Sequence, residues 1–165
     1  MTLDQATGIG VGAAPARQGA DLLAIQALVS CFDDAVNRRD AGLFASLWTE
    51  DAVWEIGPPM PLVAQGHDRI VAAWTEALAG TEWLFRGSFL GAVAVIGDTG
   101  TGSWPCLERG AFKSGAGPGG YDNLAVYEDG YRREGSIWRF ARRAYRYAWL
   151  STEALPGRPV AEAEG

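Results

Sequence analysis

Four groups of residues in this chain have the types and spacing to do acid/base chemistry. Asp33 and Asn37 stand four apart, so on a helix they share one side. Trp104, Cys106 and Glu108 alternate, so on a strand they share one face. Ala125, Tyr127, Asp129 and Tyr131 do the same, and so do Ala141, Arg143, Tyr145 and Tyr147. A plain core face would be mostly Val, Ile and Leu. These faces mix carboxylates, an arginine and phenols with small apolar groups, which suits a sheet curled around a ligand-sized cavity. A carboxylate in such a cavity has its pKa raised by desolvation, and near neutrality it becomes a usable general base or acid. Glu108 and Asp33 are the candidates for that role. Tyr127 can donate a hydrogen bond to a developing enolate or phenolate oxygen. Asn37 can orient a carbonyl or hydroxyl but cannot act as a base at neutral pH. Structural roles compete with each of these: Glu108 could pair with Arg143, Asp33 could cap a loop, and Tyr127 could be a wall residue. Asp129 is expected to tie its strand to its neighbours, because buried carboxylates are normally paired.

The elements that must position these residues follow from periodicity. Leu22, Ile25, Leu28, Val29, Phe32 and Val36 form the apolar stripe of a helix running from a cap at Asp21 to about Arg38. Asp40 caps a short helix through Trp48, and Asp51–Ile56 reads as a short strand. Gly57–Pro61 is a loop. A third helix runs from Arg69 to Leu78 after Gly66-His67-Asp68, with His67 an exposed or capping residue at its start. Beyond Glu82 the chain reads as β-structure: Trp83–Ile96, Gly102–Lys113, Tyr121–Arg133 and Ile137–Leu150. Hairpins are expected at Gly97–Gly100, Gly115–Gly120 and Glu134–Ser136. In the last strand Trp138 and Phe140 fall on the face opposite Arg143, Tyr145 and Tyr147. Helices packed on one side of a curved antiparallel sheet make an α+β fold.

The chain has 165 residues, which argues for one domain, placed at 19–151 between flexible tails at 1–18 and 152–165. A net charge of −6 without a long basic run argues against nucleic acid as a partner. Cys31 and Cys106 form no CxxC and there is one histidine, so no metal site is expected. Neither a signal peptide nor a membrane-spanning stretch is read, and the expected location is cytoplasmic.

The string Phe32-Asp33-Asp34-Ala35-Val36-Asn37-Arg38-Arg39-Asp40 and the string from Leu43 to Trp54 resemble the SnoaL-like branch of the nuclear transport factor 2-like superfamily. Tyr127–Arg133 and Trp138–Arg143 extend the resemblance over about residues 21–150. It implies a cone-shaped sheet closed by three N-terminal helices. Within the superfamily the chain looks most like the scytalone dehydratase and hexachlorocyclohexane dehydrochlorinase group, whose members use an Asp–His dyad to abstract a proton. Here Asn37 stands at the Asp position, and Phe85-Arg86-Gly87-Ser88, which should hold the His near Phe85, has none. That group's base chemistry is therefore not carried over. The resemblance turns the Trp104–Cys106–Glu108 face inward, beside Asn37, Trp54, Tyr127, Asp129 and Arg143.

The function implied is a cofactor-independent lyase, isomerase or cyclase for a small aromatic, polyketide-like or terpenoid substrate. Glu108 or Asp33 would be the base, and Tyr127, Asn37 and Arg143 would hold the oxyanion. Trp54, Phe85 and Trp104 would exclude water, with Cys106, Asp129 and Tyr145 also at the substrate. A non-catalytic ligand carrier or assembly subunit is the alternative. Epoxide opening through Asp33, Arg143 and Asp129 is a third reading. By resemblance the chain is expected to form a dimer or trimer through its outer sheet face.

Overall fold

A computed structural model of the chain describes residues 16–113, 115 and 119–153. Three helices, α1 (Ala16–Arg38), α2 (Ala41–Ser46) and α3 (His67–Ala79), pack against one curved sheet. Its strands are β1 (Trp48–Ile56), β2 (Leu62–Gln65), β3 (Thr81–Ser88), β4 (Ala92–Ile96), β5 (Thr99–Phe112), β6 (Tyr121–Glu134) and β7 (Ile137–Ser151). The order across the sheet is β2-β1-β7-β6-β5-β3, with β4 also pairing β5. The sheet is mixed, because β1 runs parallel to β7 and every other pair is antiparallel. The fold is α+β, as expected. Among the described residues no helix is long and apolar enough to cross a membrane.

Several local expectations change. α1 begins at Ala16, within the predicted tail, and Asp21 is not its cap. Asp21 is buried inside the helix, where it accepts from the Trp138 indole at 3.0 Å and from Arg133 at 2.9 Å. Asp40 does cap α2, accepting from the Leu43 N–H, but α2 ends at Ser46 and Trp48 already belongs to β1. The single strand expected over Trp83–Ile96 breaks into β3 and β4 at Phe89–Gly91. Both halves pair along the same edge of β5. The break sits where the chain presses on β5: a Cβ at Gly91 would lie 2.2 Å from the Ser103 carbonyl oxygen. The rest of the predicted tails and most of the Gly115–Gly120 tip lie outside the described residues.

The two opposed faces expected for the last strand are one face. Gly130 pairs with Arg142 while Tyr131 pairs with Phe140, so Ala141 is the extra residue of a bulge. The bulge reverses the phase. Trp138 and Phe140 before it, and Arg143 and Tyr145 after it, are all buried on the concave side.

Helix α1 holds the free edge of β3 by its side chains. The Asn37 amide donates to the Arg86 carbonyl at 2.9 Å and accepts from the Arg86 N–H at 2.8 Å. One turn earlier, Asp33 accepts from the Ser88 N–H at 2.7 Å and from the Ser88 hydroxyl at 3.2 Å. The i, i+4 spacing on the helix thus meets the two-residue repeat of the strand. Arg39 follows in the left-handed region at φ 56. From there its guanidinium donates to the Leu78 and Thr81 carbonyls, each at 3.0 Å, and ties the end of α3 to the start of β3.

Candidate functional site

The concave face of the sheet and the three helices leave a cavity of about 300 Å³. Trp54, Ile56, Leu62, Trp74 and Leu78 line it from β1, β2 and α3. Tyr127, Tyr145 and Tyr147 line it from β6 and β7, stepped edge to face with ring centroids 4.8 and 5.0 Å apart. Leu84 and Arg86 come from β3, and Glu108 with Tyr121 from β5 and β6. Among the described residues Glu108 is the one carboxylate and Arg86 the one guanidinium in the lining.

These polar groups are held by one another. The Tyr121 hydroxyl donates to Glu108 Oε1 at 3.0 Å, and Glu108 Oε2 lies 4.0 Å from Arg86 Nη1. Burial, together with the Glu108 carboxylate, pushes the Tyr121 phenol well up, so it remains a donor. Arg86 Nη1 also donates to the Tyr127 hydroxyl at 3.5 Å. Burial pushes the Tyr127 phenol up, while Arg86 and Arg143 oppose that shift. Tyr127 therefore keeps its proton. With a lone pair occupied by Arg86, that proton is free for a ligand oxygen.

The Arg86 side chain is 1% exposed. Its guanidinium lies 4.9 Å from the Phe32 ring centroid and 5.0 Å from that of Tyr127. Its Nε stands 2.9 Å from Asp33 Oδ1, an ion pair without the alignment of a hydrogen bond. Burial alone would press Arg86 toward neutrality, but Tyr127, Asp33 and Glu108 outweigh that and hold it charged.

A second arginine lies deeper. Arg143 is fully buried, with Nε donating to Asp129 Oδ1 at 3.0 Å. Its guanidinium sits over the rings of Tyr127, Phe32 and Phe140 at 3.8, 4.1 and 4.2 Å. Asp129 also accepts from the Tyr131 hydroxyl at 2.9 Å. Burial raises its carboxyl above the ordinary range, and Arg143 and Tyr131 pull against that rise.

The residues singled out in the sequence therefore separate. Glu108, Tyr127, Trp54 and Tyr145 line the cavity. Tyr145 donates to Asn123. Asp33 and Asn37 do not line it, because their oxygens and amide are engaged on the β3 backbone and on Arg86. Arg143 and Asp129 lie behind the wall, paired with each other. Glu108 is thus not the partner of Arg143, and the Asp33–Arg143–Asp129 set for epoxide opening is not assembled. Trp104 and Cys106 are buried on the concave side but are not among the residues that line the cavity. The Trp104 indole donates to Tyr131, and burial pushes the Cys106 thiol up. Phe85 points outward at 60% exposure. The strand's period of two turns Leu84 and Arg86 inward instead.

Arg86 and Tyr121 are the groups that sequence reasoning passed over. The signal for Arg86 was its phase with Leu84, opposite to Phe85. Tyr121 shares the phase of Tyr127, at the start of the same strand. His67, the first residue of α3, is at the surface corner, with its ring nitrogens 3.0 Å from Asp68 Oδ1 and from the Ala45 carbonyl. Among the described residues no three His, Cys, Asp or Glu side chains come together as a metal site.

Known structures share this architecture. A hexachlorocyclohexane dehydrochlorinase of type 2 superposes with a TM-score of 0.75 at 22% identity, over 89% of this chain and 97% of that one. The type 3 dehydrochlorinase of Novosphingobium barchaimii gives 0.74 at 21%, over 88% and 97%. A candidate scytalone dehydratase of Novosphingobium aromaticivorans gives 0.73 at 14%, over 89% and 97%. At these identities the likeness is one of fold. A search of curated proteins finds no match. The SnoaL-like domain family matches residues 17–144, from the start of α1 to the middle of β7. The chain belongs to that family, within the nuclear transport factor 2-like superfamily.

Proposed function

We propose that the chain is a cofactor-independent lyase, isomerase or cyclase acting on a small hydrophobic aromatic, polyketide-like or terpenoid substrate. The observation that carries this reading is a carboxylate, Glu108, in an aromatic cavity with Arg86 and Tyr127 beside it. Tyr121 fixes Glu108 through Oε1, which leaves Oε2 to meet a substrate C–H. Glu108 removes the proton beside a carbonyl, and the bonding pair moves onto the carbonyl oxygen. Tyr127 donates to that oxygen, and the Arg86 charge lies behind it. Glu108 then returns the proton. As the pair returns from the oxygen, the proton goes either to a β-hydroxyl whose C–O bond breaks, completing loss of water, or to the γ-carbon of a conjugated enolate, completing double-bond migration. Asn37 and Asp33 act one step back, by positioning Arg86.

The relatives named as dehydrochlorinase and candidate dehydratase support an elimination-type reaction on the same scaffold. The test is proton exchange. A panel of enolisable aromatic and polyketide-like ketones is incubated in D2O and followed by NMR, with Glu108→Gln alongside. The expected loss in the variant is about 10²–10⁴-fold, the usual worth of a positioned general base. Exchange no faster with the parent protein than without it would select the non-catalytic ligand-binding or assembly role, and catalysed exchange unchanged in Glu108→Gln would remove Glu108 as the base.

The outer face of the sheet supports self-association as a dimer or trimer. Leu107, Leu124 and Trp149 stand side by side across β5, β6 and β7, and Leu124 and Trp149 are 47% and 51% exposed. Sedimentation of Leu124→Glu against the parent protein tests it. A monomeric parent, or an unchanged oligomer in the variant, removes that face as the interface.

A further inference from the structure

The cavity lining changes in kind across the sheet. At one end β2, β1 and α3 supply hydrocarbon and indole, with Leu62, Ile56, Trp54 and Trp74. In the middle β7 and β6 supply the phenols of Tyr145 and Tyr127. At the far end β5 and β3 supply Glu108 and Arg86. Among the described residues every charged group of the lining is at that far end, so a ligand that fills the cavity meets charge with one end only.

The sign of the charge there is also defined. Arg86 faces two carboxylates, Asp33 and Glu108. The second buried guanidinium, Arg143, is already matched by Asp129. Accessibility sharpens the contrast: the Glu108 side chain is 22% exposed and that of Arg86 1%. The charge that a ligand touches is therefore negative, with the guanidinium beneath it. A ligand carboxylate at this end would be desolvated beside Glu108 and repelled. A neutral carbonyl or hydroxyl can accept from Tyr127 without that cost.

We propose that the cavity selects a neutral, one-ended ligand. Its hydrocarbon ring lies against Trp54 and Trp74, its carbonyl or hydroxyl lies at Tyr127 and Glu108, and carboxylates of the same shape are rejected. The proposal rests on the cavity being the ligand site described above, and it names the class and orientation of what enters.

The test is a matched pair of probes, 1-indanone and indane-1-carboxylate, titrated at pH 7 by calorimetry against the whole chain and Glu108→Gln. The ketone is expected to bind about tenfold or more tighter than the carboxylate, in keeping with the cost of opposing like charges. In Glu108→Gln the carboxylate should gain about tenfold in affinity, because the opposing charge is gone. A misfolded variant cannot produce a gain. Intermolecular NOEs should place the aromatic protons of the ketone at Trp54 and Trp74. Equal binding of the two probes, no binding of either, a ratio unchanged in Glu108→Gln, or NOEs with the ring at Arg86 would each overturn the proposal. No turnover is needed, so a failure of the acid/base reading shows separately, in the exchange assay.

Discussion

Replacing Asn37 by alanine should destabilise the protein by far more than its partial exposure suggests. Asn37 makes two hydrogen bonds, at 2.8 and 2.9 Å, to the N–H and carbonyl of the same residue, Arg86. β3 has β5 on its other side only, so alanine leaves both groups without a protein partner. A typical hydrogen bond contributes about 1 kcal/mol net, and an orphaned buried partner costs about 1–3 kcal/mol. Two such groups, partly reachable by water, give a loss of about 2–4 kcal/mol. The control is Asp34→Ala, one turn away on the exposed side. Asp34 makes an i, i+4 pair with Arg38 at 3.4 Å, and loss of such a pair costs about 0.3–0.5 kcal/mol. Urea unfolding followed by tryptophan fluorescence compares the two at equal m-value. If Asn37→Ala falls within the range of Asp34→Ala, the side-chain clip on β3 contributes nothing, and the reasoning from Asn37 to Arg86 fails.

Three further outcomes are expected. His67 is the one histidine in the chain, so a single imidazole resonance reports it. Its hydrogen bond to Asp68 raises its pKa above 6.5, aided by the Ala45 carbonyl and opposed by partial burial. A folded pKa above the unfolded one contributes stability that is complete below about pH 6.5 and is lost as the pH rises through the folded value. NMR titration should place the midpoint above 6.5, and Asp68→Asn should lower it; an unmoved midpoint would remove Asp68 as the cause. Asp129→Asn should cost about 3–5 kcal/mol in denaturant unfolding, because it leaves the Arg143 charge buried without its carboxylate. A cost under about 1 kcal/mol would mean that the surrounding rings hold Arg143 alone. Gly110→Ala places a Cβ 2.7 Å from the Tyr121 ring and should cost about 1–3 kcal/mol by overpacking. It should also shift the Tyr121 ring resonances, and an unchanged spectrum would show that the ring can yield.

The helices, the long strands and the hairpin at Gly97–Asp98 were legible because each follows from local periodicity or turn chemistry. The parallel pairing of β1 with β7 was not, since no local pattern encodes a partner some ninety residues away. Strand β2 is four residues long, too short for alternation to stand out after the proline-rich loop. In β7, strict alternation put Phe140 and Arg143 on opposite faces, and one extra residue at Ala141 brought them together. A bulge leaves no mark in composition when the extra residue is alanine. The cavity lining was readable where phase alone decided it, as for Glu108 and Tyr127. The common side of Asp33 and Asn37 was readable too, but not that their target was backbone. Helix spacing shows which side chains travel together and says nothing of whether they meet a cavity or a strand edge.

The clip between α1 and β3 has an implication for how this scaffold can change its chemistry. Asn37 and Asp33 grip peptide groups at 86 and 88, and peptide groups are the same whatever side chain they carry. The strand is thus fastened independently of the side chain that position 86 sends into the cavity. The guanidinium itself is not free of obligations, because Asp33 and Glu108 both face it and a neutral residue there would leave two part-buried carboxylates without their cation. Backbone anchoring and side-chain charge are carried by different atoms at this position. One codon then changes the charge that lines the cavity while the grip on the strand's peptide groups stays the same.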